Sequence, residues 1–341
     1  MRQSAGSGET AAPLAVDGEA LEHIDTASAL LLLAALQDSG QDMTRLELRN
    51  FSASHKRIVE AVRGRLDDTR AAPPAPAPGA LARLGKTTAD FGALLSGHLE
   101  FLGRTLAELA HTALHPRTLR LKELFAQLGQ VGVQSIPVVA LVTFLIGVVM
   151  AYMLGLQAEK YGANIFVVDG VALGITREFA PLIVATIMAG RSGAAFTAQL
   201  GTMKLTEEID AIRTLGLEPA KVLVLPRVLA LVITLPLLVF VGDIAGLAGS
   251  MLMAAGTLDI SPQAFIERLH VALKPRHYLI GLAKAPVFAL FIAVIGCRMG
   301  FSVSRDTRSI GINTTSTVVQ GIVAVILIDA LFAIVLQAVS L

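Results

Sequence analysis

The residues in this chain that could do chemistry are charged side chains inside long apolar stretches. Arg177 and Glu178 are adjacent in one such stretch, and Asp243 and Asp329 stand in two others. An ionisable group inside a membrane is costly unless it is paired or hydrated, so each of the four is a functional candidate. Because adjacent residues point about 100° apart on a helix, Arg177 and Glu178 cannot both face lipid. An outward-facing cavity that takes a charged headgroup would explain this pair, and an ion pair that braces two helices is the alternative.

Motifs for enzymatic chemistry are weak. The segment GALARLGKT resembles a phosphate-binding loop, but five residues separate Gly79 from the triplet that begins at Gly85, where the motif has four. The histidines form no H-E-x-x-H pattern, and Cys297, the one cysteine, has no partner for a disulfide or a metal cluster. We therefore predict a protein that is not an enzyme and holds no cofactor of its own. If ATP drives it, a second subunit must bind the ATP and magnesium.

The composition points to lipid as the solvent. The 341 residues are 54% hydrophobic and 16% charged, with a mean hydropathy of +0.66, whereas soluble domains carry about 25% charged residues. A net charge of +1 gives no basic field that would hold nucleic acid. The first residues have one arginine and no apolar core of the kind found in secretory signals. The N-terminus is therefore expected to stay in the cytoplasm.

Five apolar segments are long enough to cross a hydrocarbon core about 30 Å thick. They are residues 131–156, 171–191, 222–254, 278–297 and 317–339. With the N-terminus inside, loops 192–221 and 298–316 face the cytoplasm and carry the positive charges that this side favours. Loop 255–277 is an exception, since its basic residues would face outward. The prediction is a multi-pass inner-membrane protein whose C-terminus is periplasmic.

The residues before the spans divide by composition. Residues 1–13 read as a flexible tail, 14–70 as a small α+β module and 71–85 as a Pro/Ala linker. Residues 86–341 would form the membrane domain, beginning with a helix at about 88–115 that has one apolar stripe. Such a helix lies along a membrane surface. The alternative is a core helix of a soluble domain.

Residues 177–227 carry the most specific pattern. They read REFAPLIVATIMAGRSGAAFTAQLGTMKLTEEIDAIRTLGLEPAKVLVLPR and resemble the MlaE/YrbE-type permeases of ABC transporters. The resemblance extends from about residue 118 to the C-terminus, although Gln199 stands where the family usually has glutamate. It implies that Arg177 and Glu178 line a lipid cavity, to which Tyr161 in the preceding loop contributes. It also implies an ATP-driven transporter.

The same stretch has two local features. Gly190 and Gly193, like Gly246 in the next span, are small enough for close helix packing, which is also an alternative role for Asp243. The segment after them is predicted to be a short helix with Thr206 as its N-cap. The resemblance makes this the coupling helix that docks the ATPase, whereas a solvated connector is the plain alternative. Its proposed contact residues are Thr206, Glu207, Glu208, Asp210 and Arg213.

The N-terminal module resembles a STAS domain, as in the MlaB subunit, through the segment HIDTASALLLLAALQDSG. Asp25 and Thr26 match the Asp followed by Ser or Thr at the start of the key STAS helix. A hydroxyl at a helix N-terminus can contact a partner or accept a phosphate. Thr26 is equally well interpreted as a plain N-cap.

The sequence thus predicts an all-α permease of five spans and an interfacial helix, with a small N-terminal α+β domain. The resemblance implies a homodimer that works with an MlaF-like cytoplasmic ATPase and an MlaD-like periplasmic hexamer of MCE domains. Its substrate would be a phospholipid moved between inner and outer membranes. A secondary anion transporter with a STAS domain is the alternative, and a membrane scaffold would leave the intramembrane charges unexplained.

Overall fold

The structure is a computed structural model that describes residues 15–19, 21, 23–38, 46–68, 79–115, 120–304 and 306–338. Its contacts divide the chain into two units, Met1–Lys86 and Thr87–Leu341. The predicted tail at 1–13 lies outside the described residues, and so does most of the predicted linker, residues 71–78.

The described residues of the first unit form a two-stranded parallel sheet and two helices, before the start of a third at Ala80. Strand β1, Ala15–Asp17, pairs with β2, Glu47–Arg49, and the helices are α1, Thr26–Asp38, and α2, Ala53–Asp68. Its core is small because the unit is short. The buried apolar residues are Ala29, Leu33, Leu46, Phe51 and Val59. This arrangement confirms a small α+β domain.

Asp25, and not Thr26, caps helix α1. The Asp25 Oδ1 atom accepts a hydrogen bond of 2.7 Å from the backbone N–H of Ser28, three residues on, which is the N-cap geometry. Hydrogen bonds from Ser28 hold the pKa of Asp25 below its ordinary value. Thr26 is the first residue of the helix and its side chain is exposed, so its interpretation as the N-cap is wrong.

Helix α3, Ala80–Leu114, is amphipathic and begins earlier than expected. Ala, Leu and Arg favour helix as soon as the prolines end, so the linker cannot reach residue 85. A row of large apolar residues on α3 is exposed, at spacings that keep it on one face, as a membrane-surface helix requires. They are Phe91, Leu95, Leu99 and Leu106. At the edge of this row, His98 Nε2 lies 2.7 Å from Gln320 Oε1.

Among the residues that the structure describes, five helical segments are long and apolar enough to cross a membrane, which confirms the predicted number. They run Leu121–Glu159, Phe166–Leu205, Ala220–Thr257, Pro275–Phe301 and Thr307–Ala338 and are called the first to fifth spans below. Each is longer than its apolar core because polar residues continue the helix beyond it. The third span is the most deeply packed of the five, while only 11% of the most apolar part of the fifth is buried.

Among the described residues, the second and third spans contain three π-helical turns, and two of them come just before a proline. These two are Ile175–Phe179 in the second span and Ala220–Val224 at the start of the third, whereas Ala189–Gly193 in the second span is not followed by a proline. A proline ring clashes with the carbonyl four residues earlier and offers no N–H to it. Pro181 and Pro226 each have that earlier residue inside a π turn. The wider turn relieves the clash and rotates the side chains that follow.

Close backbone contact joins the first and third spans. A Cβ atom added to Gly147 would lie 1.9 Å from the carbonyl oxygen of Gly246. Any residue larger than glycine at position 147 would therefore push the first and third spans apart. Gly193 lies near Ile292, with 3.3 Å available to a Cβ, whereas Gly190 has more room. Of the glycines predicted to serve packing, Gly246 therefore has the tightest surroundings.

Two short helices lie in loops between spans. The connecting helix, Glu208–Thr214, follows the second span, and the loop helix, Pro262–Ala272, follows the third. Ser261 caps the loop helix by accepting a bond of 3.2 Å from the N–H of Ala264. The Arg268 guanidinium then binds both carboxylate oxygens of Asp169, which fixes the loop helix to the start of the second span.

The connecting helix does not begin as predicted. Glu207, with a φ of 61°, occupies the N-cap position, so Thr206 belongs to the end of the preceding helix. The Thr206 hydroxyl donates toward the Thr202 carbonyl at 3.1 Å and the Glu208 carboxylate at 2.9 Å. The hydroxyl of Thr206 thus bonds to the preceding helix and does not cap the connecting helix. The prediction of Thr206 as N-cap is wrong.

Candidate functional site

A buried lysine joins three spans at the centre of the membrane domain. Lys284 in the fourth span has no exposed surface, and its Nζ donates to Glu178 Oε2 and, at 2.9 Å, to Asp329 Oδ1. Glu178 belongs to the second span and Asp329 to the fifth. One ammonium with two carboxylates satisfies the condition under which a charge is tolerated in a membrane interior.

Arg177 completes this network and balances its charge. Its Nε lies 3.3 Å from Glu178 Oε1, and its Nη1 lies 3.5 Å from His277 Nδ1 at the start of the fourth span. The two cations and two carboxylates sum to zero. We call Arg177, Glu178, Lys284 and Asp329 the charged network. Arg177 and Glu178, the sequence-predicted pair, are therefore in contact with each other and with the buried lysine.

The charged network lies toward one end of the three spans that form it. Glu178 is twelve residues after the start of the second span at Phe166, and Lys284 is nine after Pro275. Asp329 is nine residues before the end of the fifth span at Ala338. At 1.5 Å per residue these offsets equal roughly 14 to 18 Å along each helix. Each of the three residues is nearer to this end of its span than to the other, and the placement of Arg177 and Glu178 near the outer end stays a prediction.

Local backbone features position the network. Arg177 and Glu178 lie in the π turn before Pro181, and π turns inside helices recur at functional sites. Gly281, one turn before Lys284, touches this turn. A Cβ on Gly281 would lie 2.0 Å from the carbonyl oxygen of Thr176. The glycine therefore lets the fourth span approach closely enough for Lys284 to reach Glu178.

Exposure differs across the network. The side chain of Lys284 is 1% exposed and that of Asp329 17%, whereas those of Arg177 and Glu178 are 23% and 37% exposed. An anion can therefore reach Arg177 and a cation can reach Glu178, while Lys284 is sealed behind them. Tyr161 lies in the loop between the first two spans, on the same side, and is largely exposed.

Two charged residues in the spans differ from the sequence prediction of the site. Lys284 was missed by the sequence interpretation, although a lysine inside a predicted apolar span is the same signal that identified Arg177. Asp243 was flagged but is not part of the network. It is buried in the third span, and neither carboxylate oxygen has a hydrogen-bond partner among the described residues.

Where the second span ends and the third begins, away from the charged network, a buried arginine is hydrogen-bonded to an uncharged side chain. Arg227 Nη2 donates to Gln199 Oε1 at 3.2 Å, and Nη1 donates to the Leu223 carbonyl at 2.6 Å. Its Nε is buried without a hydrogen-bond partner in the described part of the chain. Gln199 is the position where the resembling permeases usually have glutamate, so the counter-charge expected for Arg227 is missing here.

We expect Gln199→Glu to raise the stability of the membrane domain. A carboxylate at the same distance would form a charge-assisted bond, which is about twice as strong as a neutral one. The gain should be about 1 kcal/mol and appear as a higher melting temperature of the purified chain. Gln199→Leu is the matched control and should lower it, since Arg227 would lose its side-chain partner. A glutamate variant that melts below the wild type would contradict this interpretation.

The chain was compared with known proteins. Residues 124–335, which include the whole network, match the family described as Permease MlaE. A probable ABC transporter permease protein of Rickettsia conorii is 33% identical over 244 residues, covering 72% of this chain and 92% of that protein. A similarly named protein of Rickettsia prowazekii is 37% identical over 209 residues, covering 61% and 81%. The protein TRIGALACTOSYLDIACYLGLYCEROL 1, chloroplastic, of Arabidopsis thaliana is 32% identical over 203 residues, covering 60% and 58%.

The family match leaves out the first unit, so the resemblance of that unit to a STAS domain stays a prediction. It covers the five spans, the π turn with Arg177 and Glu178, and the connecting helix. Together with the identity to relatives named as ABC transporter permeases, it identifies the chain by its membrane domain: this multi-pass membrane protein belongs to the MlaE permease family.

Proposed function

We propose that this chain is the transmembrane subunit of an ABC transporter that moves phospholipids between the inner and outer membranes. The observation that carries the proposal is the charged network, in which Lys284 is sealed while Arg177 and Glu178 remain partly exposed. A purely structural ion pair within apolar spans has no need of exposed members. A site that exchanges ligands does.

The headgroup chemistry follows from the two exposed members. A guanidinium binds phosphate oxygens in a planar, bidentate manner, and a low dielectric strengthens that bond. Glu178 shares its carboxylate between Arg177 and Lys284, so an arriving phosphate would compete with Glu178 for Arg177. Lys284, itself bound to Asp329, would hold Glu178 in place during that exchange. Tyr161, exposed in the loop at the same ends of the spans, supplies a hydroxyl and an aromatic ring at the entry.

The remaining parts of the assembly rest on separate supports. The connecting helix offers exposed Glu208, followed by exposed Leu215, to a cytoplasmic ATPase, which would bind ATP and magnesium. The fifth span leaves a long apolar face uncovered by the rest of the chain, which gives a second copy room to pack in a homodimer. The ends of the spans nearest the charged network would meet a periplasmic ring of MCE domains. In this arrangement the N-terminus would lie in the cytoplasm and the C-terminus in the periplasm of an inner-membrane protein.

Replacing Arg177 by glutamine tests the headgroup site. Loss of a charge-assisted bond worth roughly 1.5 to 3 kcal/mol should weaken phospholipid binding at the charged network about tenfold or more and so lower the phospholipid retained after gentle purification. The measurement is mass spectrometry of lipid per chain, with the melting temperature recorded alongside. Arg268→Gln is the matched control, because that guanidinium on the loop helix binds Asp169 at the start of the second span and should leave retained lipid unchanged. Unchanged lipid with a collapsed melting temperature in Arg177→Gln would make the network a structural brace.

A further inference from the structure

A cavity lies at the ends of the spans that are farther from the charged network, next to the connecting helix. Its volume is about 740 Å³, within the range of pockets that hold small ligands. Its walls come from α3, the connecting helix and the ends of the second, third and fourth spans, including Phe101, Asp210, Lys204, Leu225 and Phe301. The transport site described above does not use this cavity.

The lining of the cavity is amphipathic. Its apolar members are led by two aromatic rings whose centroids are 6.2 Å apart, those of Phe101 and Phe301. Its charged members divide evenly between three cations and three anions, which are Arg104, Lys204, Arg213, Glu108, Asp210 and Glu218. A lining with apolar surface and equal numbers of both charges suits a ligand that is apolar at one end and zwitterionic at the other.

Two of these charges lack a full partner of their own. The Glu108 Oε2 atom is buried without a hydrogen-bond partner in the described residues. The nearest ammonium, Lys221 Nζ, is 3.6 Å away and lies closer to Glu218, at 3.1 Å. Lys204 Nζ donates to the Phe301 carbonyl at 2.6 Å, and no carboxylate pairs with it among the described residues. The cavity therefore offers one acceptor for an ammonium and one cation for a phosphate.

The cavity is also within reach of lipid. Its wall includes Thr105 and Glu108 of α3, whose exposed apolar stripe occupies a different face. A helix with such a stripe lies at the boundary between headgroups and acyl chains. Molecules at that depth are membrane lipids, so the cavity opens where headgroups are concentrated.

We propose that this cavity binds a phospholipid whose zwitterionic headgroup carries a primary ammonium. The ammonium donates to Glu108, the phosphate lies against Lys204, and the glycerol and upper acyl carbons contact the aromatic rings. Such a lipid would also touch Ile209 and Arg213 of the connecting helix. A lipid bound in the cavity would thus stabilise the connecting helix in its observed position.

The chain contains no tryptophan, so one introduced indole reports on one place. Phe301→Trp puts the fluorophore in the cavity, and Phe101→Trp is a second cavity probe if the first variant does not fold. Phe91→Trp puts it on the exposed stripe of α3 as the control. Each full-length variant is reconstituted with lipids brominated on the acyl chains, which quench a neighbouring indole. The three lipids compared are phosphatidylethanolamine, phosphatidylcholine and phosphatidylglycerol.

The cavity indole should be quenched at an about tenfold lower fraction of brominated phosphatidylethanolamine than of the other two lipids. A quaternary ammonium cannot donate to Glu108, and phosphatidylglycerol has no cation. The stripe indole should respond equally to all three, and Glu108→Gln should remove the preference at the cavity. Equal quenching of the cavity indole by all three lipids, or a preference that survives Glu108→Gln, would overturn the proposal. So would a cavity indole that no lipid quenches while the stripe indole is quenched.

Discussion

Replacing Lys284 by methionine is expected to destabilise the membrane domain by about 3 to 5 kcal/mol. Methionine fills a similar volume but leaves Glu178 and Asp329 without their shared cation, and Asp329 is largely buried. Removing one partner of a buried ion pair costs far more than removing all partners, because a charge is then left uncompensated. The measurement is the melting temperature of the purified full-length chain in detergent.

A triple variant separates this cause from simple loss of packing. Lys284→Met combined with Glu178→Gln and Asp329→Asn removes every charge that the lysine held, so most of the lost stability should return. Lys221→Met is the control for lysine removal, since that side chain is half exposed and its ion pairs are worth less than about 1 kcal/mol. A triple variant as unstable as Lys284→Met alone would show that packing, and not charge balance, requires the lysine.

Reversing the charge of Glu208 is expected to abolish retention of the ATPase subunit while the permease still inserts. Glu208 is exposed in the first turn of the connecting helix, where a carboxylate also favours the helix N-terminus. Lysine there costs the helix about 0.3 to 1 kcal/mol, too little to unfold the spans. Like charge at a docking surface costs several kcal/mol, which is enough to lose a partner during purification.

The matched control for this charge reversal is Glu267→Lys. Glu267 is an exposed acidic residue on the loop helix, at the ends of the spans nearest the charged network. It should leave the ATPase bound. Asp210→Lys should have a weaker effect than Glu208→Lys, because Asp210 pairs with Arg213 at 3.1 Å and lines the cavity. Full ATPase retention in Glu208→Lys, measured by copurification, would remove the connecting helix from the docking surface.

The apolar pattern predicted the number of spans because hydrocarbon thickness demands a minimum length of apolar helix. It could not predict helix ends, since polar residues continue a helix beyond the hydrocarbon. The same limit applies to α3, which begins at Ala80 as soon as the proline-rich segment ends.

The site was predicted in part. Arg177 and Glu178 stood out because adjacent opposite charges are rare inside an apolar span. The partnership of Lys284 with Asp329 joins residues 45 positions apart and depends on how the fourth and fifth spans pack, which one sequence does not reveal. The prediction that Thr206 caps the connecting helix was wrong for a local reason, because its hydroxyl donates to a carbonyl in the preceding turn.

The central claim is that the chain holds both a phospholipid and an ATPase, and mass spectrometry of the gently purified protein tests it most directly. The account predicts about two phospholipids per chain, one at the charged network and one in the cavity, together with an ATPase subunit of separate sequence. It further predicts that Arg177→Gln removes the lipid of the charged network but keeps the ATPase, and that Glu208→Lys removes the ATPase but keeps both lipids. A wild-type protein that retains neither lipid nor ATPase would contradict the account, and so would variants that lose both together.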